Sequence, residues 1–353
     1  MKKDSYCGMD LGDKKHDVCI LDSEGQVKER TQVVNTTEAI RQCFESKPRT
    51  MTVALEAGTH SGWISRLLEE MGFRVIVAQP RKLCALWGRN RKNDASDAEL
   101  LARMLRADPE LLHPIRHRGE AEQVAILTLR GRDALVRMRT LAINTARGLA
   151  KSVGHRLPSA SSAAFTKKAR EGLAVELKGA IEPILEVVEK LTEQIKGYDR
   201  QVEQMAQTQY PQTEALRTVP GVGALTSLAF VLTVADPTRF KRSREVGPYL
   251  GLVPRQDQSG SIDKQLRITK AGDGYLRRLL VGSAQYILGA FGPPCGLRHF
   301  GLRLAARGGK NAKRRAVVAV ARKLAVLLHA LWVNKTVFDP TRGVSPQMDG
   351  HLA

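Results

Sequence analysis

The stretch that decides the fold is Tyr6-Cys7-Gly8-Met9-Asp10-Leu11-Gly12, a short apolar segment that ends in an acid and a glycine. It predicts a buried strand at residues 6–11 followed by a turn. Two more strands are predicted directly after it, at 16–22 and 27–34, with the turn signal Ser23-Glu24-Gly25 between them. Because these connections are short, the three strands should form an antiparallel meander.

Helices and strands alternate in the rest of the first third of the chain. The sequence predicts a helix from Thr36 to Phe44, strands at 51–55 and 73–78, and helices at 62–71 and 94–105. The resulting order, βββαβαβα, is that of the ribonuclease-H-like fold. We therefore expect an α/β domain at residues 1–115.

Three places in this region carry acids that the predicted fold would bring together. Asp10 and Glu56 end two strands that should be neighbours, and Asp94 and Asp97 lie three residues apart at a helix start, so they share a face. Crowded carboxylates repel unless cations neutralise them, and oxygen-only ligands select Mg²⁺ or Mn²⁺ rather than zinc. The sequence therefore predicts a metal site for chemistry on a phosphodiester.

Each acid also has an ordinary explanation that the sequence leaves open. Asp94 can cap its helix, and Asp10 can be a surface turn residue. Asp13 and Asp17 lie nearby, and we expect Asp17 on the solvent face of the second strand, away from the site.

The composition indicates a polyanionic partner. The formal net charge is +20, from 56 Lys and Arg against 36 acids, and such an excess drives sequence-independent binding to nucleic acid. We see no signal-peptide core and no apolar run near the roughly 20 residues that span a bilayer. Five scattered cysteines without a CxxC pair argue against a disulfide framework or a zinc site and suit a reducing cytoplasm.

The middle of the chain, residues 116–210, is predicted to form a helical arm. Residues 120–153 are helical and basic, and a second helix, starting near Pro183, carries a heptad pattern typical of a coiled coil: Ile181, Ile184, Val188, Leu191, Ile195, Tyr198, Val202 and Met205. The alternative is a long hairpin helix packed on its own domain.

Residues 211–353 are predicted to form a mainly helical third domain. Val219-Pro220-Gly221-Val222-Gly223 resembles a helix-hairpin-helix turn, whose amides can hold a phosphate, although a plain tight turn has the same pattern. A polar loop follows at 251–261, and residues 274–338 contain twelve Lys or Arg but no acid. That stretch indicates a nucleic-acid surface.

Basic residues near the acids and in the last third are the candidates for contact with nucleic-acid backbones. They are Arg81, Lys82, Arg89, Arg91, Lys92, Arg277, Arg278, Lys310, Lys313, Arg314 and Arg315.

With these motifs the chain resembles the DEDD transposases of bacterial insertion sequences, the IS110 family with its IS1111-like subgroup, to which the Piv invertases are related. The resemblance covers nearly the whole length. It includes Lys92-Asn93-Asp94-Ala95-Ser96-Asp97, Gly251-Leu252-Val253-Pro254-Arg255-Gln256 and Ile268-Thr269-Lys270-Ala271-Gly272-Asp273.

The resemblance implies a RuvC-like domain, a coiled-coil arm and a C-terminal transposase domain. It also implies a serine nucleophile that forms a covalent phosphoserine with DNA; the matching position is Ser259, with Ser261 as a close competitor. It further implies a structured noncoding guide RNA. Finally, it implies a dimer or tetramer in which the acids of one subunit meet the serine of another.

Two other functions remain open on the sequence alone. One is a RuvC-like nuclease or resolvase in which metal-activated water cuts DNA and Ser259 is structural. The other is a non-catalytic nucleic-acid-binding protein that retains an inactive RuvC-like domain.

Overall fold

A computed structural model of the chain describes residues 5–80, 94–259 and 262–341, without the side chains of 94–95, 256–259 and 262–265. The chain divides into two compact units, Met1–Gly119 and Glu120–Ala353.

The first unit contains one five-stranded mixed sheet and three described α-helices. The elements are β1 (Tyr6–Leu11), β2 (Lys15–Leu21), β3 (Val27–Val34), α1 (Thr37–Glu45), β4 (Thr52–Glu56), α2 (Ser61–Glu70), β5 (Arg74–Ala78) and α3 (Asp94–Ala107), followed by a 3-10 turn at Pro109–Leu112. The sheet order is β3-β2-β1-β4-β5. β1 pairs antiparallel with β2 and parallel with β4, so the predicted meander and order of elements are confirmed.

Local sequence signals account for these elements. Thr36 caps α1, because its side-chain oxygen accepts a hydrogen bond from the amide of Ala39 at 3.2 Å. Ile40 and Phe44, one turn apart, bury the inner face of α1. The core packs on both faces of the sheet, with α1 and α2 on one side and α3 on the other. Because helices cover both faces of the sheet, the ends of its strands are the places most accessible to a ligand.

The second unit is mainly helical. Its elements are α4 (Glu120–Ser152), α5 (Phe165–Glu171), α6 (Lys178–Thr208), α7 (Thr213–Arg217), α8 (Ala224–Val234), α9 (Val246–Tyr249), β6 (Pro254–Ser259), β7 (Ile262–Ile268), α10 (Gly274–Leu288), α11 (Gly296–Ala305) and α12 (Ala312–Asn334), with 3-10 turns at Val175–Leu177, Pro237–Arg239 and Ser243–Glu245. Its core is formed around α8, α10 and α12. It also includes Ala125 and Leu129 from the first turns of α4, and Val202 from the last turns of α6. The arm and the last third therefore share one core, and a separate arm domain stays a prediction.

The heptad residues of α6 pack within the same chain. Ile181 and Val188 are buried against Ile143 of α4 and Phe165 of α5, and Val202 lies in the main core. This arrangement is the packed helical hairpin that the sequence left as the alternative. The helix also begins at Lys178 rather than near the predicted Pro183, because a proline this close to a helix start removes only one backbone hydrogen bond.

One described helix, α12, is long and apolar enough by length and composition to cross a membrane. The expectation that the chain has no such run is therefore wrong. Arg322 and Lys323 interrupt the run, and Val320, Leu324 and Leu328 have no exposed surface at the centre of the core. The packing of α12 is that of a buried core helix.

Candidate active site

Helix α3 lies directly on strand β1 because residue 8 is glycine. A Cβ atom built on Gly8 would be 2.6 Å from the backbone nitrogen of Ala102 and closer still to the carbonyl oxygen of Ala98. No residue with a side chain could tolerate this approach without a shift of the helix. Helix α3 therefore covers the face of β1 toward which the Cβ position of Gly8 points.

Asp10 and Glu56 lie on the face that α3 covers. Gly8 pairs with Ala54 in the parallel β1–β4 register, and Asp10 and Glu56 each follow two residues later, so their side chains point to the same side as those positions. Both acids are half-buried. The sheet therefore brings these two predicted acids to one edge.

The N-terminus of α3 lies at the same edge. At the other end of the helix, Arg106 Nη1 donates to the carbonyl of Ser23 at 3.4 Å, in the β2–β3 turn beside the start of β1. The helix therefore runs antiparallel to β1, and Asp97 in its first turn lies toward the strand ends. We call Asp10, Glu56, Asp97 and the backbone position of Asp94 the acidic edge.

The described side chains of the acidic edge do not form a complete metal site. Among the described side chains, no three acids, histidines or cysteines lie close enough together to hold a metal ion. The side chain of Asp94 is outside those described. The donor set consists only of carboxylate oxygens, which suits Mg²⁺ because that ion keeps several waters and often binds through one or two carboxylates.

Asp17 lies beside the acidic edge on the face that α3 covers, whereas the sequence analysis expected it on the solvent face of β2. It pairs directly with Asp10 in the antiparallel β1–β2 register, so the two side chains are on the same face. Gln32 donates to Asp17 Oδ1 at 3.1 Å. Strand β2 is buried on both faces, so the alternation of polar residues could not indicate which face Asp17 occupies.

A polar network that the sequence analysis missed lies beside the acidic edge, on the other face of the sheet. His16 is fully buried, and its Nε2 lies 3.0 Å from Asn35 Oδ1. Asn35 also donates to the carbonyl of Asp13 at 2.8 Å and contacts His60, which follows Glu56 by four residues. Burial lowers the pKa of His16. The network ties the β1–β2 turn to the β4–α2 loop.

In the second unit, Ser259 is the last residue of β6 and pairs with Ile262. The sequence predicts a polar loop here, but Pro254–Ser259 and Ile262–Ile268 are two antiparallel strands of a hairpin. The side chain of Ser259 and all of Ser261 are outside the described residues. The position nevertheless puts Ser259 at the tip of the hairpin, where two residues connect the strands.

The base of the hairpin is held tightly. Gly251 and Gly272 have φ of +66° and +70°, and a Cβ on either would collide with backbone, that of Ala271 for Gly251 and that of Tyr249 for Gly272. Arg277 Nη1 donates to the carbonyls of Leu250 and Ala271, each at 2.9 Å. The guanidinium therefore joins the segment that enters the hairpin to the segment that leaves it.

The basic residues predicted to bind nucleic acid fall into three groups. Arg81, Lys82, Arg89, Arg91 and Lys92 lie outside the described residues. Arg277 is engaged at the hairpin base, and Arg278 donates to both carboxylate oxygens of Asp133 at 2.8 Å. The remaining four are exposed around the start of α12: Lys310, Lys313, Arg314 and Arg315.

The glycine-containing turn at 219–223 connects α7 to α8. Gly221 has φ of +76°, and a Cβ there would be 2.9 Å from Tyr286 Cδ1 of α10. Gly223 caps α8, and apart from its two chain neighbours no atom of the described residues lies within 4 Å of its Cβ position. The turn is thus packed on α10 on one side and open at the start of α8.

Comparison with known proteins identifies the family. Residues 7–154 match a model described as a transposase, DEDD_Tnp_IS110, and residues 213–297 match the model of the IS116/IS110/IS902 transposase family. A Sinorhizobium fredii protein described as a transposase (y4rJ) is 30% identical over 305 residues, which cover 79% of this chain and 76% of that protein. The chain belongs to the IS110 family of transposases.

Other relatives of this transposase extend the similarity over nearly its whole length. The transposase of insertion sequence element IS1111A from Coxiella burnetii is 27% identical over 351 residues, which cover 96% of this chain and 92% of that protein. The pilin gene-inverting protein of Moraxella lacunata is 31% identical over 125 residues, 35% of this chain and 38% of its own length. The transposase is therefore an enzyme that cuts and rejoins DNA, and its family is generally dependent on divalent metal.

Proposed function

We propose that this transposase is an RNA-guided recombinase that moves an insertion sequence through a covalent link between Ser259 and DNA. The observation that supports the proposal is that Asp10 and Glu56 end neighbouring parallel strands on one face of the sheet, and that the helix with Asp97 in its first turn lies on that face. Carboxylates that lie near one another repel, and bound cations would offset that repulsion.

The acidic edge would hold Mg²⁺, with Mn²⁺ as a substitute, through Asp10, Glu56, Asp94 and Asp97. When bound, the ion would supply charge neutralisation at the phosphate and a more acidic attacking hydroxyl. The close contact of α3 with β1 at Gly8 supports this assignment, because the first turn of α3, which contains Asp94 and Asp97, is directed toward the strand ends.

The proposed chemical step is a transesterification. The Ser259 oxygen forms a bond to phosphorus, the bond from phosphorus to a deoxyribose oxygen breaks, the serine proton leaves to a base, and the leaving oxygen takes up a proton. The number of phosphate ester bonds is unchanged, so attack by a free deoxyribose hydroxyl can reverse the step and rejoin a strand. The clamped hairpin base supports this role because it limits the positions open to Ser259.

Guidance by RNA is part of the proposal. The +20 charge and the exposed Lys310, Lys313, Arg314 and Arg315 favour contact with phosphate backbones. Aromatic residues make up only 5% of the chain, which suits a protein that leaves most of the sequence reading to base pairing. Sequencing of RNA that copurifies with the protein tests this part: RNA folded from the element's flank is the expected result, and its absence contradicts guidance.

We also propose that the enzyme works as a homo-oligomer, a dimer or tetramer. The heptad face of α6 is filled within the chain, whereas Met138 and Leu141 on α4 expose 55% and 69% of their surface. Sedimentation of the purified protein measures the assembly, and a monomer at all concentrations would rule it out.

The central experiment compares Asp97→Asn with Glu99→Gln on a plasmid recombination reporter. Glu99 lies two residues further along α3, where it pairs with Arg30 of β3 and Arg103 of α3. Its substitution removes a carboxylate charge from the same helix without removing a predicted metal ligand. Asp97→Asn should abolish recombination and Glu99→Gln should not. Recombination that survives Asp97→Asn contradicts a catalytic acidic edge.

Ser259→Ala then tests the nucleophile. We expect no strand cleavage and no protein–DNA adduct on a denaturing gel, whereas wild-type protein yields the adduct. Undiminished cleavage by Ser259→Ala would instead identify a nuclease that uses activated water.

A further inference from the structure

Phe291 is the most exposed large apolar side chain among those that the structure describes, at 87%. It lies in the connection between α10 and α11, residues 289–295. Single exposed apolar residues are common on protein surfaces, so exposure alone assigns nothing. What distinguishes Phe291 is the way the surrounding loop is built.

The loop is fixed on both sides of Phe291. Arg298 Nη1 donates to the carbonyls of Ile287 at 2.7 Å and Gly289 at 2.6 Å. A Cβ on Gly292 would be 2.7 Å from the carbonyl carbon of Ile287, so the backbone crosses the end of α10 in direct contact. Two prolines at 293–294 restrict the chain that follows. The loop therefore holds the phenyl ring in solvent.

The charge around this loop favours a polyanion. Phe291 lies within residues 274–338, which carry twelve Lys or Arg and no acid. At the same end of α10, the turn at 219–223 packs on Tyr286, five residues before Phe291. The open start of α8 in that turn presents backbone amides of the kind that bind phosphate. A surface with phosphate-binding groups next to the exposed phenyl ring of Phe291 is suited to binding a nucleic-acid strand.

We propose that Phe291 stacks on an unpaired nucleobase of a strand bound along this basic surface. The phenyl ring offers a flat apolar face, and every base has a complementary one, so the contact is tolerant of sequence. The base belongs to a DNA strand opened during recombination or to a single-stranded part of a bound RNA. The inference needs a nucleic-acid partner but does not depend on Ser259 as nucleophile.

Binding without catalysis tests the proposal. Labelled single-stranded DNA, single-stranded RNA of the same sequence and duplex DNA are titrated with wild-type protein, Phe291→Ala and Phe291→Trp in EDTA, with fluorescence anisotropy as the readout. Val175→Ala is the matched control, because Val175 is also highly exposed, at 77%, on a different element. EDTA removes strand cleavage, so a faulty nucleophile assignment cannot affect the result.

We expect Phe291→Ala to weaken single-strand binding by about 5- to 150-fold, the range for one stacked base, with duplex binding and the salt dependence unchanged. Phe291→Trp should restore affinity, and its emission, measured above that of the three native tryptophans, should be quenched on binding. A loss with only DNA or only RNA identifies the strand.

Two results would overturn the proposal. One is that Phe291→Ala binds both single strands within twofold of wild type. The other is that the Phe291→Trp emission is the same in the saturated complex as in free protein. If Phe291→Ala leaves binding intact but lowers the sedimentation coefficient, the ring contacts another copy of the chain and the stacking proposal is wrong.

Discussion

Substitution of Gly8 by alanine should separate α3 from β1 and disable the acidic edge. The new methyl group would be 2.6 Å from the nitrogen of Ala102, whereas nonbonded heavy atoms prefer about 3.5 Å. The carbonyl oxygen of Ala98 would be closer still. Since both obstructing atoms belong to the backbone, α3 must move by at least roughly 1 Å. Overpacking of this kind costs about 1–3 kcal/mol of unfolding free energy.

The same shift carries Asp94 and Asp97 away from Asp10 and Glu56. A displacement of about 1 Å at a reacting centre can lower the rate by roughly 100-fold. We therefore expect Gly8→Ala to lose recombination by about two orders of magnitude while it still folds. Urea unfolding measures the stability, and the plasmid reporter measures the activity.

Gly62→Ala is the control for this experiment. Gly62 is on α2 in the same unit, and its nearest neighbour, Arg66 Nη1, would be 3.8 Å from the new atom. This variant should be active and slightly more stable, because alanine favours a helix. Wild-type stability and activity in Gly8→Ala would refute the seating of α3 described above.

Three further predictions concern other parts of the molecule. Arg277→Ala should loosen the hairpin base and lower the rate of adduct formation while DNA affinity is unchanged. Arg277→Lys should recover part of that rate. A loss of DNA affinity without a slower rate would instead indicate that Arg277 binds nucleic acid. Val188→Ala should lower the free energy of unfolding by about 2 kcal/mol at every protein concentration, because Val188 is buried within the chain. Val187→Ala, at an exposed position, should change it little. A loss of stability that depends on protein concentration would indicate that α6 packs against another chain. Burial lowers the pKa of His16 and His117 in the folded state, so the unfolded chain binds more protons. The urea midpoint of the first unit should therefore fall as the pH drops below about 6.5. In His16→Gln the midpoint should fall less steeply.

The first unit could be predicted closely because its signals are local. Strands β1 and β4 are short apolar runs that end in an acid, and the meander follows from the short turns. The parallel pairing of β1 with β4 then brings Asp10 and Glu56 together without further information. The direction of α3 follows from its place after β5, so the edge that Asp97 joins was also predictable.

Other features depend on contacts between distant residues. The hairpin at 254–268 contains Arg255, Gln256, Asp257 and Gln258 in its first strand, and such polar runs carry no alternation that predicts a strand. Its stability comes from Arg277 and two glycines outside it. Likewise, positive charge predicted a polyanionic partner for Arg278, but only the fold brings Asp133 within reach. The heptad pattern of α6 predicted a helix–helix interface, but the pattern does not indicate which helix packs against it.

The closure at the base of the hairpin makes it a module. Because Gly251 packs on Ala271 and Gly272 packs on Tyr249, the strands beyond them can be lengthened or shortened without altering α9 or α10. The reach of Ser259 from the helical body is thus an adjustable dimension of the protein. Insertion of matched residue pairs into both strands would extend that reach in steps, and the core would not need to be redesigned.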